Sequence, residues 1–517
     1  VSIALAILFS GLGASFFGMA ECTDPAEVDL AVSDIFWCDM FGETNTLLPA
    51  ITSGQPYTIC ATVENIGRTD AGTFSTAMYL DGFPWGGVRA FDGLDAHASM
   101  IVSWTGIVTS DSGEHTALVS VNSEDPAADY DPANNDLEER FAVVEAEWTF
   151  AVYLDGDNNL EYYGILDFLE MALVGTTPEV NIVVQFDRAE DYYIDHGNWT
   201  DTKRFLITKG MEPWAESAYE GLGEANMGDG ETLSDFASHA FDRFRSARTC
   251  LVLWDHGAGW WMGCCEDRLS NDWLTPTEMR GALTETTEVI GSPVDIVAFD
   301  ACIMGSLEVA CYFDGLAVDF VASIAAVLGT GFPYDAIVER LTADPSMGSE
   351  QLCEVMTSEY ALEYIGYTIQ SLSAFRVDNL CTSVKTALTA FADRLLELGR
   401  SYYGRIDSAR DSTLGFDVIT GAGTSTTTYS ADLHMFAEEA VQRIHDDVFN
   451  TAAENLMKAL EEARICLGVC TRDTFYDDIL GLVVFWPDEP ILLEEYRAEL
   501  LSQDTTWDEF LLAYYSE

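Results

Sequence analysis

A chain of 517 residues is too long for a single hydrophobic core, so two or more domains are expected. Hydrophobic residues at 48% and aromatics at 12% are ample for packed cores and argue against a disordered chain. With 87 Asp and Glu against 24 Lys and Arg, the formal charge of −63 argues against nucleic acid as a partner, because phosphate binding needs clustered cations.

The acids are spread along the chain and not gathered in a tail, which fits a solvated acidic surface. Two settings account for it equally: high salt, where counterions screen self-repulsion, and ordinary secretion of an acidic protein. Residues 1–20 carry no charge and are followed by Glu21, Cys22 and Asp24. They read as the apolar part of a secretory signal, with Gly18-Met19-Ala20 as its small-residue cleavage site, or as a membrane anchor. Cys22 is a poor lipoprotein site because Glu21 stands where a small residue is wanted. Twelve cysteines suit an oxidising compartment. Cys38 with Cys60 and Cys466 with Cys470 are candidate disulfide pairs, buried free thiols being the alternative.

Residues 27–145 read as all-β. The alternating stretches DLAVSDIFW, PYTICATVEN, FSTAMYLDG, SMIVSWTGIV, HTALVSVNS and RFAVVEAEW are punctuated by SGQP, NIGRTDAG, DSGE and DPANND. Short strands at this spacing predict a β-sandwich. The order of ATVENIGRTDAG, MYLDG and YDPANN resembles the CARDB family, an immunoglobulin-like accessory module without chemistry of its own. Asp131, Asn134 and Asn135 read as a turn before the last strand rather than as a calcium loop.

From Trp148 to the C-terminus the pattern changes. The strand-like runs WTFAVYLD, NIVVQFD, TCLVLWD, VDIVAFD and FVASIAAV alternate with helical stretches such as LEYYGILDFLEMAL, TLSDFASHAFDRFRSA, TPTEMRGALTETTEVI and MGSLEVACYF. Apolar strands separated by helices predict a parallel α/β sheet covered on both faces, with right-handed crossovers. Residues 346–412 read as mostly helical, and the tail adds a strand at ILGLVVFWP and a helix around TWDEFLLAYY.

Two of these strands end in reactive residues. TCLVLWD runs into His256-Gly257-Ala258-Gly259-Trp260, and VDIVAFD runs into Ala301-Cys302. If the strands are parallel neighbours, imidazole and thiol emerge on one sheet edge, where function gathers in open α/β sheets. The imidazole can then help form the thiolate and return a proton to a leaving amine. The amides of Gly257 and Cys302 are candidates for stabilising an oxyanion.

WDHGAGW and FDACIMGSLEVA, with YLDGDNNLE, VVQFDR, NMGDGETLSDF and GLVVFWP in order, resemble the clostripain family of cysteine peptidases, of the caspase–gingipain–legumain clan. The resemblance implies a caspase-like fold, His256 as proton-transfer partner, Cys302 as nucleophile, and Asp300 near the substrate's P1 pocket, where a carboxylate favours arginine or lysine. The loop from Ala325 to Gly331 lacks the acidic residues common there in the family, with none until Asp335. The resemblance also points to self-cleavage between the histidine and the cysteine, and Arg268 in CEDRL is the candidate.

Asp155-Gly156-Asp157-Asn158-Asn159 has the oxygen density of a calcium loop without EF-hand spacing. It reads more simply as a helix cap through Asn158 or Asn159. No cofactor is required on this reading, and calcium stays open because some family members use it. His97, His115, His196, His239, His434 and His445 show no zinc-ligand spacing. Asn198-Trp199-Thr200 is a glycosylation sequon. The expectation is a secreted or surface-attached endopeptidase acting on proteins or peptides through a thioester, with a β-sandwich module in front. A surface-binding protein with an inactive peptidase-like domain, and a transpeptidase or ligase on the same fold, are the alternatives.

Overall fold

The computed structural model describes residues 27–38, 51–123, 129–190, 192–367, 370–416, 429–470 and 479–516. The apolar segment 1–20 and Cys22 lie outside these residues, as does the Cys470 side chain. Among the described residues no helix is long and apolar enough to cross a membrane. The chain divides into two compact units, one holding residues up to 142 except 51–55 and 108–112, the other holding those two segments and residues from 143 onward.

Strands β1 (Leu30–Cys38), β2 (Ile51–Thr52), β3 (Pro56–Asn65), β4 (Phe74–Leu80), β5 (Phe83–Phe91), β6 (Ser99–Val108), β7 (Gly113–Ser123) and β8 (Asp136–Val144) form two sheets. Their orders are β1-β3-β6 and β2-β8-β7-β4-β5. Alternation decides the faces: Phe74, Thr76 and Met78 of β4 are buried, and Trp104 and Tyr57 fill the interior. Cys38 and Cys60 come together diagonally across β1 and β3 as free thiols. Burial and the adjoining Cys38 push the Cys60 thiol up to about 12. Before β8, the Asp131 carboxylate accepts the Ala133 amide at 3.2 Å, which makes DPANN a turn.

The second unit begins with β9 (Ala146–Gly156), α1 (Glu161–Val174), β10 (Val180–Arg188), β11 (Thr202–Leu206), β12 (Glu220–Gly223), α2 (Gly230–Arg243) and β13 (Ser246–Trp254). It continues through α3 (Gly259–Met262), β14 (Cys264–Asp267), β15 (Asp272–Leu274), α4 (Pro276–Ile290), β16 (Val294–Asp300), α5 (Leu307–Cys311), β17 (Ala317–Ala322), α6 (Tyr334–Ala343) and α7 (Ser349–Glu363). Strands β18 (Gln370–Arg376), β19 (Gly415–Phe416), β20 (Ser430–Asp432), β21 (Arg464–Cys470) and β22 (Val483–Phe485) follow among further helices, the last at Trp507–Tyr515. Among the described residues, nine strands join in the order β12-β11-β10-β9-β13-β16-β17-β18-β21.

Neighbouring residues along each central strand face opposite cores. Cys250, Val252 and Trp254 of β13 pack with α1, α6 and α7 on one side, while Leu251 and Leu253 pack with α2 and α4 on the other. Burial on both faces is why these strands read as unbroken apolar runs. The sheet departs from the all-parallel expectation. Its centre, β10-β9-β13-β16-β17, is parallel, while β11, β12, β18 and β21 are antiparallel additions at the edges.

Three elements differ from the sequence reading. QSLSAFR, inside the stretch expected to be helical, is the buried strand β18. It carries two serines and a glutamine, which hide its β character from a hydrophobicity pattern. The apolar run ILGLVVFWP contributes only β22, in a separate three-stranded sheet β19-β20-β22. MGSLEVACYF yields a helix of five residues.

Candidate active site

Strands β13 and β16 are parallel neighbours in register, with Trp254 opposite Asp300. Each is buried to its last residue, so the chain emerges from both at the same edge, carrying Asp255-His256-Gly257 and Ala301-Cys302. His256, Gly257, Asp300 and Cys302 line one cavity of about 530 Å³, together with Trp254, Arg268 and residues 326–329. The structure thus brings the sequence-predicted site residues into one place, Arg268 included.

Gly257 lies against the backbone of the nucleophile candidate. A Cβ at this position would stand 2.3 Å from the Cys302 carbonyl oxygen and 2.9 Å from its amide nitrogen. The bridge between Gly257 and Cys264 is made through the amides of Ala258 and Cys265, not that of Gly257. Ile303, directly after Cys302, has φ of 50°. Left-handed backbone at a β-branched residue is strained, and such strain gathers where surrounding structure imposes it for function. Its amide is tied to Ala325 O at 3.0 Å.

The thiol and the imidazole are each engaged with a third group. Cys302 Sγ accepts the Val327 amide at 3.3 Å and donates to Val327 O at 3.6 Å. Burial, and then the carboxylates of Asp300 and Asp255, raise its pKa, while the Val327 amide pulls the other way. His256 Nε2 lies 3.3 Å from Asn159 Oδ1. Burial lowers the pKa of His256, and Arg268 adds to that against an opposing Glu266. Both shifts favour the uncharged forms, thiol and imidazole.

The loop at residues 155–159 orients this arrangement. Asn158 Nδ2 donates to Asp255 Oδ1 at 2.8 Å and to Glu266 O at 3.0 Å. Its Oδ1 accepts the Leu160 amide at 2.8 Å, closing a local turn. Neither asparagine caps α1: the N-cap position is Leu160, without a side-chain cap. The first helical residue, Glu161, instead forms a fully buried ion pair with Arg188 at 2.7 Å, anchoring the loop to the end of β10.

Asp300 closes the base of the cavity. Its Oδ2 accepts the Phe332 amide at 2.8 Å and the Tyr334 hydroxyl at 3.0 Å. Its Oδ1 has no partner. Burial pushes the carboxyl up to about 7, against both hydrogen bonds. A second carboxylate stands beside it. Asp167 of α1 accepts the Trp254 indole N–H at 2.6 Å through Oδ2, and its Oδ1 is likewise unpartnered. The two flank Gly331, whose φ is 55° and where a Cβ would meet Asp300 Oδ2 at 2.6 Å and Asp167 Oδ2 at 2.9 Å. Burial and the Asp300 charge hold the Asp167 carboxyl well above the carboxylate range. Sequence reasoning missed Asp167 and the contact of Asn159 with His256. Asp167 had a signal: it lies three residues after Gly164 and four before Met171, both on the buried face of α1.

Among the described residues, the side chains that could share a metal ion are Asp157, Glu224 and Asp267, each with an oxygen within 4.8 Å of the others. An all-carboxylate set suits a hard cation such as calcium and not zinc, so these residues fit the group that part of the family uses.

The family model described as Clostripain family matches residues 152–513, and the CARDB model matches residues 29–139. A curated relative, clostripain of Hathewaya histolytica, is 28% identical over 261 residues, covering 44% of this chain and 49% of that protein. The chain thus spans about half the length of the curated relative it matches. Among solved structures, a secreted C11 cysteine protease from Bacteroides thetaiotaomicron bound to an irreversible peptide inhibitor is 20% identical, with a TM-score of 0.53 over 70% of this chain and 100% of that one. An inactive zymogen C11 protease from Parabacteroides distasonis is 20% identical, with a TM-score of 0.51 over 70% of this chain and 99% of that one. At these identities the likeness is one of fold: a caspase-like α/β sheet.

Proposed function

The chain belongs to the clostripain family, and from that premise we propose that it is a cysteine endopeptidase that cleaves after arginine or lysine through Cys302 and His256. The observation that carries the proposal is the placing of His256, Cys302 and Asp300 in one cavity at the ends of adjacent parallel strands. Because both groups rest neutral, His256 takes the thiol proton as Cys302 attacks the scissile carbonyl. The thiol must first leave Val327, which holds it at rest. The Gly257 and Cys302 amides then face the oxyanion, where preorganised donors count most. The protonated imidazole returns its proton to the departing amine, leaving a thioester that water hydrolyses. Transfer of the same thioester to another amine would make the enzyme a ligase.

A P1 guanidinium or ammonium entering the cavity meets the unpartnered Oδ1 of Asp300, with Asp167 alongside. This carboxylate takes over the part that the acid-free loop 325–331 cannot play. In a panel of peptides differing only at P1, arginine and lysine should exceed norleucine by roughly 10²-fold or more in kcat/KM. Asp300→Asn should bring that ratio close to one. Since the Asp300 carboxyl titrates at about 7 and a cation is recognised by the anion, the ratio should rise from pH 6 to 8 in the parent and stay flat in Asp300→Asn. Equal turnover of norleucine and arginine peptides by the parent at pH 8 would defeat the basic specificity.

Arg268 stands at the rim of the same cavity, its guanidinium donating to Tyr192 Oη at 2.8 Å and facing Glu266 at 3.6 Å. Self-cleavage after Arg268 is the corresponding maturation step. It should give two fragments on a denaturing gel, lost in Cys302→Ala and in Arg268→Gln; a single intact and fully active chain would rule it out. Secretion or surface attachment through residues 1–20, with the CARDB module as a spacer or docking element, completes the reading.

A further inference from the structure

A second cavity, of about 240 Å³, lies beside the catalytic one and shares none of its lining residues. The two divide three segments of chain between them. His256 and Gly257 line the catalytic cavity, and Ala258 to Trp261 line the second. Cys302 lines the first and Ile303 the second; Val327 lines the first and Ile324 the second. The walls of the second cavity are mainly aromatic and aliphatic, with Trp260, Trp261, Phe485 and Leu492 among them. Trp260 packs edge-on against Phe485 at 5.0 Å and Tyr496 at 5.3 Å, which fixes one wall. Trp261 lines the cavity yet is 41% exposed, so a large aromatic surface is left to water beside the catalytic residues. Ile303 and Leu492 both hold left-handed backbone, at φ of 50° and 57°.

One charged group enters these walls. Glu308 of α5 is fully buried and lines the cavity. Its Oε1 accepts the Phe485 amide and the Tyr496 hydroxyl, each at 2.8 Å, which fixes the side chain. Its Oε2 has no hydrogen-bond partner. Ser306 bears on the carboxylate without closing a hydrogen bond to that oxygen. A buried acceptor left without a donor is costly, and an N–H or O–H brought in by a ligand removes the cost.

We propose that this cavity is the subsite for the residue just after the scissile bond, P1′, and that it selects an aromatic side chain carrying a hydrogen-bond donor, tryptophan above all, whose N–H meets Glu308 Oε2. This rests on the peptidase reading above. Trp254 and Tyr334, the neighbours of Asp300, belong to the core on the α1 face of the sheet, whereas Trp260 and Phe485 pack into the core on the α2 face. Successive side chains of an extended peptide point to opposite sides, so a substrate with P1 on Asp300 turns the adjoining side chain toward the second cavity. Of the two adjoining residues it is P1′ that fits, because the leaving amine must reach His256 and the residues running on from His256 form the cavity wall. The volume lies below the roughly 300 Å³ at which sites for whole small ligands begin, which suits a single side chain.

The test varies P1′ and P2 separately in peptides with arginine at P1. At P1′, tryptophan should exceed alanine by roughly tenfold or more in kcat/KM, and should exceed phenylalanine by roughly threefold. Glu308→Gln should cancel the advantage over phenylalanine: with Oε1 still held by Phe485 and Tyr496, an amide N–H stands where the acceptor was. Ile491→Trp, at the partly exposed rim, fills the cavity and should bring the tryptophan-to-alanine ratio close to one. It carries the test if Glu308→Gln does not fold. Glu495→Gln, exposed on the short helix after Leu492, should keep the parent ratios. A binding arm separates the subsite from the chemistry. By fluorescence anisotropy, the full chain carrying Cys302→Ala should bind a labelled peptide with tryptophan after arginine roughly tenfold more tightly than one with alanine there. That difference without any cleavage by the parent would sink the peptidase reading and leave the cavity's selectivity standing. Equal rates and equal binding for tryptophan and alanine at P1′, or a preference that Ile491→Trp leaves intact, overturns the subsite. The same preference found at P2 and not at P1′ overturns its placement, and tryptophan level with phenylalanine in the parent overturns the part given to Glu308.

Discussion

Cys302→Ala should lower kcat/KM on a fluorogenic arginine peptide by roughly four to six orders of magnitude, the loss seen when the nucleophile of a catalytic pair is removed. What remains is the catalysis that oxyanion donors and binding provide without a nucleophile. The fold should tolerate the change. Cys302 is only partly enclosed, and among the described residues its sulfur hydrogen-bonds only at Val327, so the thermal midpoint should stay within a few degrees, about 1 kcal/mol. His256→Ala should cost nearly as much, since the neutral thiol then has no base, and the double variant should cost little more than either alone. The pH behaviour separates a neutral pair from an ion pair. With the Cys302 thiol raised above its usual value of 9.0, alkylation by iodoacetamide should be slow at pH 7 and accelerate through pH 9. With the His256 imidazole lowered below 6.5, kcat/KM on a peptide with a neutral P1 side chain should hold from pH 8 to 6.5 and fall only below. Fast, pH-independent alkylation at pH 6 would show a thiolate and contradict the neutral resting pair, while cleavage by Cys302→Ala within a hundredfold of the parent would remove Cys302 as nucleophile.

The chemistry-bearing residues were legible because two strands announce themselves. TCLVLWD and VDIVAFD are apolar over Cys250–Trp254 and Ile296–Phe299, as strands buried on both faces tend to be, and each stops at an aspartate where the sheet ends. Placing His256 and Cys302 at strand ends therefore needed no knowledge of side-chain geometry. What escaped was whatever depends on a neighbour distant in sequence. Asn158 reads as a cap because it precedes a helix, yet its amide reaches Asp255, 97 residues away. The helical spacing of Asp167 puts it on the buried face of α1, but nothing in that spacing shows that its carboxylate accepts the Trp254 indole N–H beside Asp300. Strand β18 was lost for a related reason: Ser371 and Ser373 are buried, and Ser373 Oγ donates to Gly481 O at 2.6 Å, so a tertiary partner satisfies a polar side chain that a pattern search takes for an exposed one. The acidic cluster was half visible. The loop from Asp155 supplied Asp157, but Glu224, just after β12, and Asp267, in the β14–β15 hairpin, come within reach of it only in the folded chain.

Gly257→Ala should lower kcat by roughly 10²- to 10³-fold with a much smaller change in KM, the loss expected when one oxyanion donor is displaced. The reason is steric and not conformational, since φ at Gly257 is not in the left-handed region. The added methyl would stand 2.3 Å from the Cys302 carbonyl oxygen, a distance at which backbone must move. That carbonyl cannot yield easily, because the next residue, Ile303, is already held in a strained left-handed conformation with its amide fixed on Ala325 O. Gly257 itself is held from the other side by the bridge to Cys264. Whichever side gives way, the amides of residues 257 and 302 lose their common aim. Overpacking at such a contact costs about 1–3 kcal/mol, so the thermal midpoint should fall by several degrees as well. Two measurements keep the catalytic and structural effects apart. Active-site titration with an arginine chloromethyl ketone counts correctly folded sites, and kcat is then expressed per titrated site. Inhibition by an arginine aldehyde, which forms a tetrahedral hemithioacetal needing both donors, should weaken in proportion to kcat/KM, whereas a non-covalent arginine amide should bind as before. An alanine variant that keeps its aldehyde affinity and its kcat per site would place the oxyanion donors elsewhere on the loop after β13.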